Sequence, residues 1–165
     1  LGMRHRRKLS VADGGLERRT RFAVVHDDLG RCEETAAGFF RTLRESRPDA
    51  EITLIAPDAG RFQSAHPGIV DYAVELPLRR NARSKLARTI RFRYPDLVMV
   101  LADDAELHRF ARLTGAPQRF GVARADSRAA RLLTDCWSPP EPDEWKTRPD
   151  WLAFGSHFGL EKIER

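Results

Sequence analysis

Phe22-Ala-Val-Val25 is a short apolar run with two β-branched residues, and it leads directly into the polar stretch His26-Asp-Asp-Leu-Gly-Arg31. A run of that kind suits a parallel strand covered on both faces better than an amphipathic edge. The polar stretch is then the loop at the carboxyl end of a strand, where open α/β sheets bind ligands once strand order reverses. That loop holds a single glycine, Gly30, so neither a G-x-G-x-x-G dinucleotide turn nor a Walker-type phosphate loop is present.

The theme repeats along the chain. Glu33-Glu-Thr35 places negative charge at the start of a helix carrying Ala36, Ala37, Phe40 and Leu43 at helical spacing, which ends near Arg47-Pro48. Ile52 to Ala56 is a second strand. A helical turn over Gly60 to Ala65 follows, and Tyr72 to Leu76 alternates as a third strand nearer the sheet edge. Leu86, Ile90 and Tyr94 at i, i+4 and i+8 predict the buried stripe of the next helix. Leu97-Val-Met-Val-Leu101 is the strongest strand in the sequence, and it leads into Asp103-Asp104. A helix with Leu107, Phe110, Ala111 and Thr114 on one face comes next, closed by Gly115, and Phe120 to Ala123 is a fifth strand.

Strand and helix alternating in this way predict right-handed crossovers and a single α/β, Rossmann-like three-layer domain. Its parallel sheet has five or more strands, in the order 3-2-1-4-5. The domain occupies 21–135. Residues 1–20 are expected to be a disordered basic leader, and 136–165 a linker with a terminal helix. That helix, around Asp150 to Phe158, brings Trp151, Leu152 and Phe154 against the domain or a partner.

At 165 residues and 41% hydrophobic content there is material for one full core. No apolar run approaches the length of a membrane span, and the Arg-rich start lacks the apolar segment of a secretory signal. The expected location is cytoplasmic, with at most peripheral contact at the inner membrane. Cys32 and Cys136 are too few for a disulfide framework and lack metal-ligand spacing.

The net charge of +5 suggests nucleic acid until its distribution is considered. Residues 1–21 hold seven Lys/Arg and two acids and so supply all of it, while the remainder balances 22 basic against 22 acidic side chains. No specific nucleic-acid partner is expected. One block stands out in the body: Arg79, Arg80, Arg83, Lys85, Arg88, Arg91 and Arg93, with no acid among them. It makes a positive field suited to phosphates or carboxylates, or else it is a solvated helix face.

Two acidic pairs, Asp27-Asp28 and Asp103-Asp104, follow the first and fourth strands. With those strands adjacent, four carboxylates would share one crevice, able to hold Mg²⁺ or to act as acid and base. Asp103 and Asp104 equally suit the start of a helix. A phosphate-receiver domain is excluded, since the third strand ends in Leu76-Pro77 without an acceptor aspartate. His26 is a conceivable base, but a histidine packed under the loop is the commoner arrangement.

Several segments resemble the amino-terminal half of family 9 glycosyltransferases, the heptosyltransferases of lipopolysaccharide core synthesis. They are His66-Pro-Gly-Ile-Val-Asp-Tyr-Ala-Val-Glu-Leu-Pro-Leu-Arg-Arg80, Tyr94-Pro-Asp-Leu-Val-Met-Val-Leu101, and Arg112-Leu-Thr-Gly-Ala-Pro-Gln-Arg-Phe-Gly121 with Arg124 and Ser127-Arg128. Arg41 to Ile55 fits as well, and the similarity runs from about residue 21 to 160.

The resemblance implies a GT-B arrangement of two Rossmann-like halves, of which this is the acceptor-binding one, inactive alone. It implies an anionic glycan or glycolipid acceptor held by Arg79, Arg80, Arg83, Lys85 and Arg128, and Arg31 in the first loop is added to them as an acceptor-binding candidate. The implied partner is a second Rossmann-like half or another copy of the chain, and no cofactor or metal is implied. Two positions depart from the family. Its members carry Gly-Asp in the first loop, the aspartate being the proposed base, whereas Gly30-Arg31 stands here; an arginine stays protonated at neutral pH. After the fourth strand they carry Asp-x-Gln-Gly, against Val100-Leu-Ala-Asp103. The base would then be Asp27, Asp28 or Asp103, or the chain is a degenerate relative serving as a binding or scaffold module.

Overall fold

The computed structural model describes residues 19–147 and 149–159. Nearly all of the expected leader, and the last six residues, lie outside the described residues. Six strands form one parallel sheet: β1 (Arg21–Val25), β2 (Glu51–Ala56), β3 (Tyr72–Glu75), β4 (Leu97–Val100), β5 (Gln118–Val122) and β6 (Asp135–Trp137). Their spatial order is β3-β2-β1-β4-β5-β6, so the predicted order holds and one strand is added at the β5 edge. The helices are α1 (Glu33–Ser46), α2 (Ala59–Ala65), α3 (Arg80–Arg91), α4 (Ala105–Leu113), α5 (Pro142–Thr147) and α6 (Trp151–His157).

The pleat sorts the apolar runs onto two faces. Phe22, Val24, Ile52, Leu54, Leu97 and Met99 point to one side, where they meet Phe39, Phe40 and Leu43 of α1, Phe62 of α2, and Trp151 and Phe154 of α6. Ala23, Val25, Ile55, Val98 and Val100 point to the other, against Ala87 and Ile90 of α3 and Leu107, Phe110 and Ala111 of α4. Burial on both faces is why these strands read as unbroken apolar runs. Reciprocal bonds between Arg21 and Asp96 hold β1 beside β4: the Arg21 amide donates to the Asp96 carboxylate at 2.8 Å, and the Asp96 amide to the Arg21 carbonyl at 2.9 Å.

Two local expectations are corrected. Tyr94 is no part of a buried helical stripe, because α3 stops at Arg91 and Tyr94 is 63% exposed with φ at +52°. Pro95 follows it, and the residue before a proline is driven out of helical geometry. The buried side of α3 is instead Ala87 and Ile90, with Leu86 packed beside them.

The second correction concerns the stretch from Cys136 to Asp143. It contains β6, paired in register through Gly121 with Cys136 and Val122 with Trp137, and then the start of α5. A three-residue strand with no fully buried side chain has no periodic signature to read. The terminal helix packs on the domain itself: Trp151 is 0% exposed, its ring 5.0 Å from that of His26 and 5.6–5.7 Å from those of Phe39 and Phe40.

Candidate functional site

The loop after β1 is built around His26, which is 1% exposed. Its Nδ1 accepts the Asp28 amide at 2.9 Å, which leaves the ring proton on Nε2, 4.0 Å from the Cys32 sulfur. The thiol in turn points to the Asp28 carbonyl at 3.5 Å. Burial, opposed in part by Asp27, brings the His26 pKa down to about 4. Burial and the charge of Asp28 push the Cys32 thiol up to about 12. Both side chains are therefore neutral at pH 7, and with its basic nitrogen bonded to an amide His26 serves the loop as a structural member.

Asp28 Oδ1 accepts the Gly30 amide at 3.1 Å, capping the 3-10 turn at Leu29–Arg31. Its other oxygen lies 2.9 Å from Arg31 Nε, and Asp27 lies 3.8 Å from Arg31 Nη2. Arg31 also donates through Nη1 to the Lys146 carbonyl at 2.6 Å, so the β1 loop is tied to α5. Across the reversal point between β1 and β4, Asp104 Oδ1 accepts the amides of Glu106 (2.8 Å) and Leu107 (3.4 Å) and caps α4. Of the second acidic pair, then, Asp104 starts the helix. Asp103 is exposed and makes no ion pair or hydrogen bond among the described residues.

These loops enclose a cleft of about 500 Å³ at the carboxyl ends of β1, β4 and β5. Asp27, Arg31, Asp103 and Asp104 line it, together with Arg124 after β5 and Trp145 and Lys146 of α5. The four carboxylates do not converge: Asp28 is turned to Arg31 and Gly30 and is not part of the lining. Among the described residues no group of three His, Cys, Asp or Glu side chains is placed to hold a metal ion.

The basic block lies outside the cleft. Arg80 pairs with Glu106, Arg83 Nη1 is 3.7 Å from the same carboxylate, and Arg83 Nε donates to the Pro77 carbonyl at 2.7 Å. Glu106 is in the first turn of α4, so the beginnings of α3 and α4 meet at the same end of the sheet as the cleft. Arg79 precedes α3 and is exposed, as is Lys85, and Arg128 stands at the start of the 3-10 turn Ala129–Leu132; none of the three lines the cleft.

The cations that do line it, besides Arg31, are Arg124 and Lys146. Arg124 follows the fifth strand just as Asp27 follows the first, and that position is its sequence signal. Trp145 and Lys146 fall in a stretch read as linker and carried none.

No family model and no curated protein matches the chain at the level of sequence. Solved structures do match. The ADP-heptose lipopolysaccharide heptosyltransferase II of E. coli shares 23% identity and a TM-score of 0.58 over 73% of this chain and 35% of that one. A family 9 glycosyltransferase from Veillonella parvula gives 0.67 at 17% identity, over 92% and 45%. The E. coli heptosyltransferase WaaC with ADP gives 0.62 at 11%, over 88% and 50%. The chain spans half or less of the length of each of these structures. What it shares with them is a Rossmann-like fold, matched over part of each of those chains.

Proposed function

We propose that the chain is the acceptor-binding half of a heptosyltransferase-like glycosyltransferase, completed by a second Rossmann-like half that brings the nucleotide-sugar donor to the cleft. The observation that carries this reading is one cleft carboxylate, Asp103, with neither an ion-pair nor a hydrogen-bond partner among the described residues, in a cleft also lined by Arg31, Arg124 and Lys146. The cations suit a phosphorylated or acidic sugar. Arg79, Arg80 and Arg83, at the same end of the domain, extend the positive field toward a larger acceptor, with Lys85 and Arg128 farther out.

In the proposed reaction Asp103 takes the proton of the acceptor hydroxyl as its oxygen attacks the anomeric carbon, and the bond to the donor diphosphate breaks. Asp27 and Asp28 are poorer candidates for that role, since Arg31 already faces both. Without a donor held opposite the acceptor the half does not transfer sugar, because positioning of the two reactants supplies a large part of the rate enhancement.

A second reading, a non-catalytic binding module, is favoured by Arg31 itself. It stands where the resembling family carries its base, and it is fixed by Asp28 and the Lys146 carbonyl. The two readings separate when the donor-binding half of a heptosyltransferase is supplied in trans with ADP-heptose and a deacylated lipopolysaccharide core oligosaccharide. Transfer by the mixture, lowered about 100-fold or more in Asp103→Asn, is expected if Asp103 is the base. Binding of the oligosaccharide with no transfer would leave the binding module.

A further inference from the structure

We propose that the outward face of α3 is a docking surface for an anionic lipid bilayer. Asn81, Lys85, Arg88 and Phe92, at i, i+4, i+7 and i+11, fall in one line along the helix, and all four are exposed. The opposite side carries Ala87 and Ile90 into the core.

Two observations set this face apart from an ordinary solvated helix. The first is where apolar side chains meet water. Among the described residues the large hydrophobic side chains most open to solvent are Leu78 at 88%, Phe92 at 78% and Tyr94 at 63%, and they bracket α3 at its two ends. Tyr72 is also exposed, with the Arg93 guanidinium 4.3 Å from its ring centroid. The second is charge. Residues 79–93 hold seven cations and no acid. Arg80 and Arg83 are matched by Glu106, and Arg93 lies 3.8 Å from Glu51. Arg79, Lys85, Arg88 and Arg91 have no acidic partner among the described residues.

A twelve-residue helix is about 18 Å long. Laid flat on a bilayer it would set Phe92 and Leu78 at the boundary of headgroup and acyl chain, with Lys85 and Arg88 among anionic headgroups. Other occupants fit less well. A second copy presenting the same face would meet like charge. A nucleic acid would satisfy the cations but offer nothing to a leucine and a phenylalanine at opposite ends of a convex ridge. The inference does not rest on the chemistry of the cleft, since none of these residues lines it.

The leader also holds several cations and would draw the chain to acidic vesicles by itself, so the test needs a local reporter. The full chain carrying Phe92→Trp, and beside it the wild-type chain whose three tryptophans set the background to be subtracted, are mixed with vesicles of phosphatidylcholine alone or with phosphatidylglycerol, in each case with brominated acyl chains. The expected result is quenching and a blue shift from position 92 with the anionic vesicles only, weakening as salt is raised. Adding Lys85→Gln and Arg88→Gln should lower the partition coefficient about 25-fold, at about fivefold per charge. Leu78→Ser should lower it about tenfold at any salt concentration. Unchanged melting temperatures would verify that these surface variants fold. Vesicle binding without quenching at position 92 would assign the contact to the leader and overturn the proposal. So would the absence of vesicle binding, or binding of single-stranded RNA that exceeds vesicle binding at equal salt and ignores Leu78→Ser.

Discussion

At the scale of single residues, His26 decides how the loop after β1 behaves. Burial holds its folded pKa at about 4, against about 6.5 for an unfolded histidine. Between those values the unfolded chain binds a proton that the folded chain refuses, so stability falls as pH drops through that window, by roughly 3 kcal/mol in all. Burial lowers His108 as well, with the same sign. Denaturant midpoints measured at pH 7 and pH 4.5 should therefore drop further for the wild-type chain than for His26→Gln; equal drops would mean that His26 is not the buried neutral ring described. The sequence showed that acids follow β1 and β4 but not which of them are occupied. Asp103 and Asp104 are adjacent and of one type, and only the phase of α4 sends one to the helix amides and leaves the other in the cleft.

At the scale of elements, α6 is a structural part of the domain. Trp151 fills the space between His26, Phe39 and Phe40, beneath the loop that shapes the cleft. Trp151→Ala should cost about 3–5 kcal/mol, seen as a lower midpoint in urea. A loss under 1 kcal/mol would show that α6 merely rests on the surface. The long elements were legible because periodicity and caps agreed: Glu33 and Glu34 at the start of α1, Pro48 after its end, and Gly115 at φ +71° after α4. The end of α3 was legible too, in Pro95, but the spacing of Leu86, Ile90 and Tyr94 concealed it. β6 and α5 were not. Their few residues pair with or cover elements far away in sequence, and such contacts leave no local pattern.

At the scale of the whole molecule, the parallel sheet and its reversal point followed from the alternation of apolar runs with helical segments. The cleft's position at the carboxyl ends of β1, β4 and β5 followed from that order. Its walls did not follow, because Arg124 and Lys146 come from segments brought together only by the finished sheet. The domain thus has two separate basic features, the cleft and the α3 ridge, and Arg80 of the ridge is paired with Glu106 of α4 outside the cleft. The cleft as the site of an anionic sugar is the central proposal. Titrating the isotope-labelled full chain with a deacylated lipopolysaccharide core oligosaccharide tests this directly by amide chemical-shift mapping. Saturable shifts confined to the loops bearing Arg31, Asp103, Arg124 and Lys146, lost in Arg124→Ala, are the predicted result; no saturable shifts, or shifts centred away from the cleft, would contradict it.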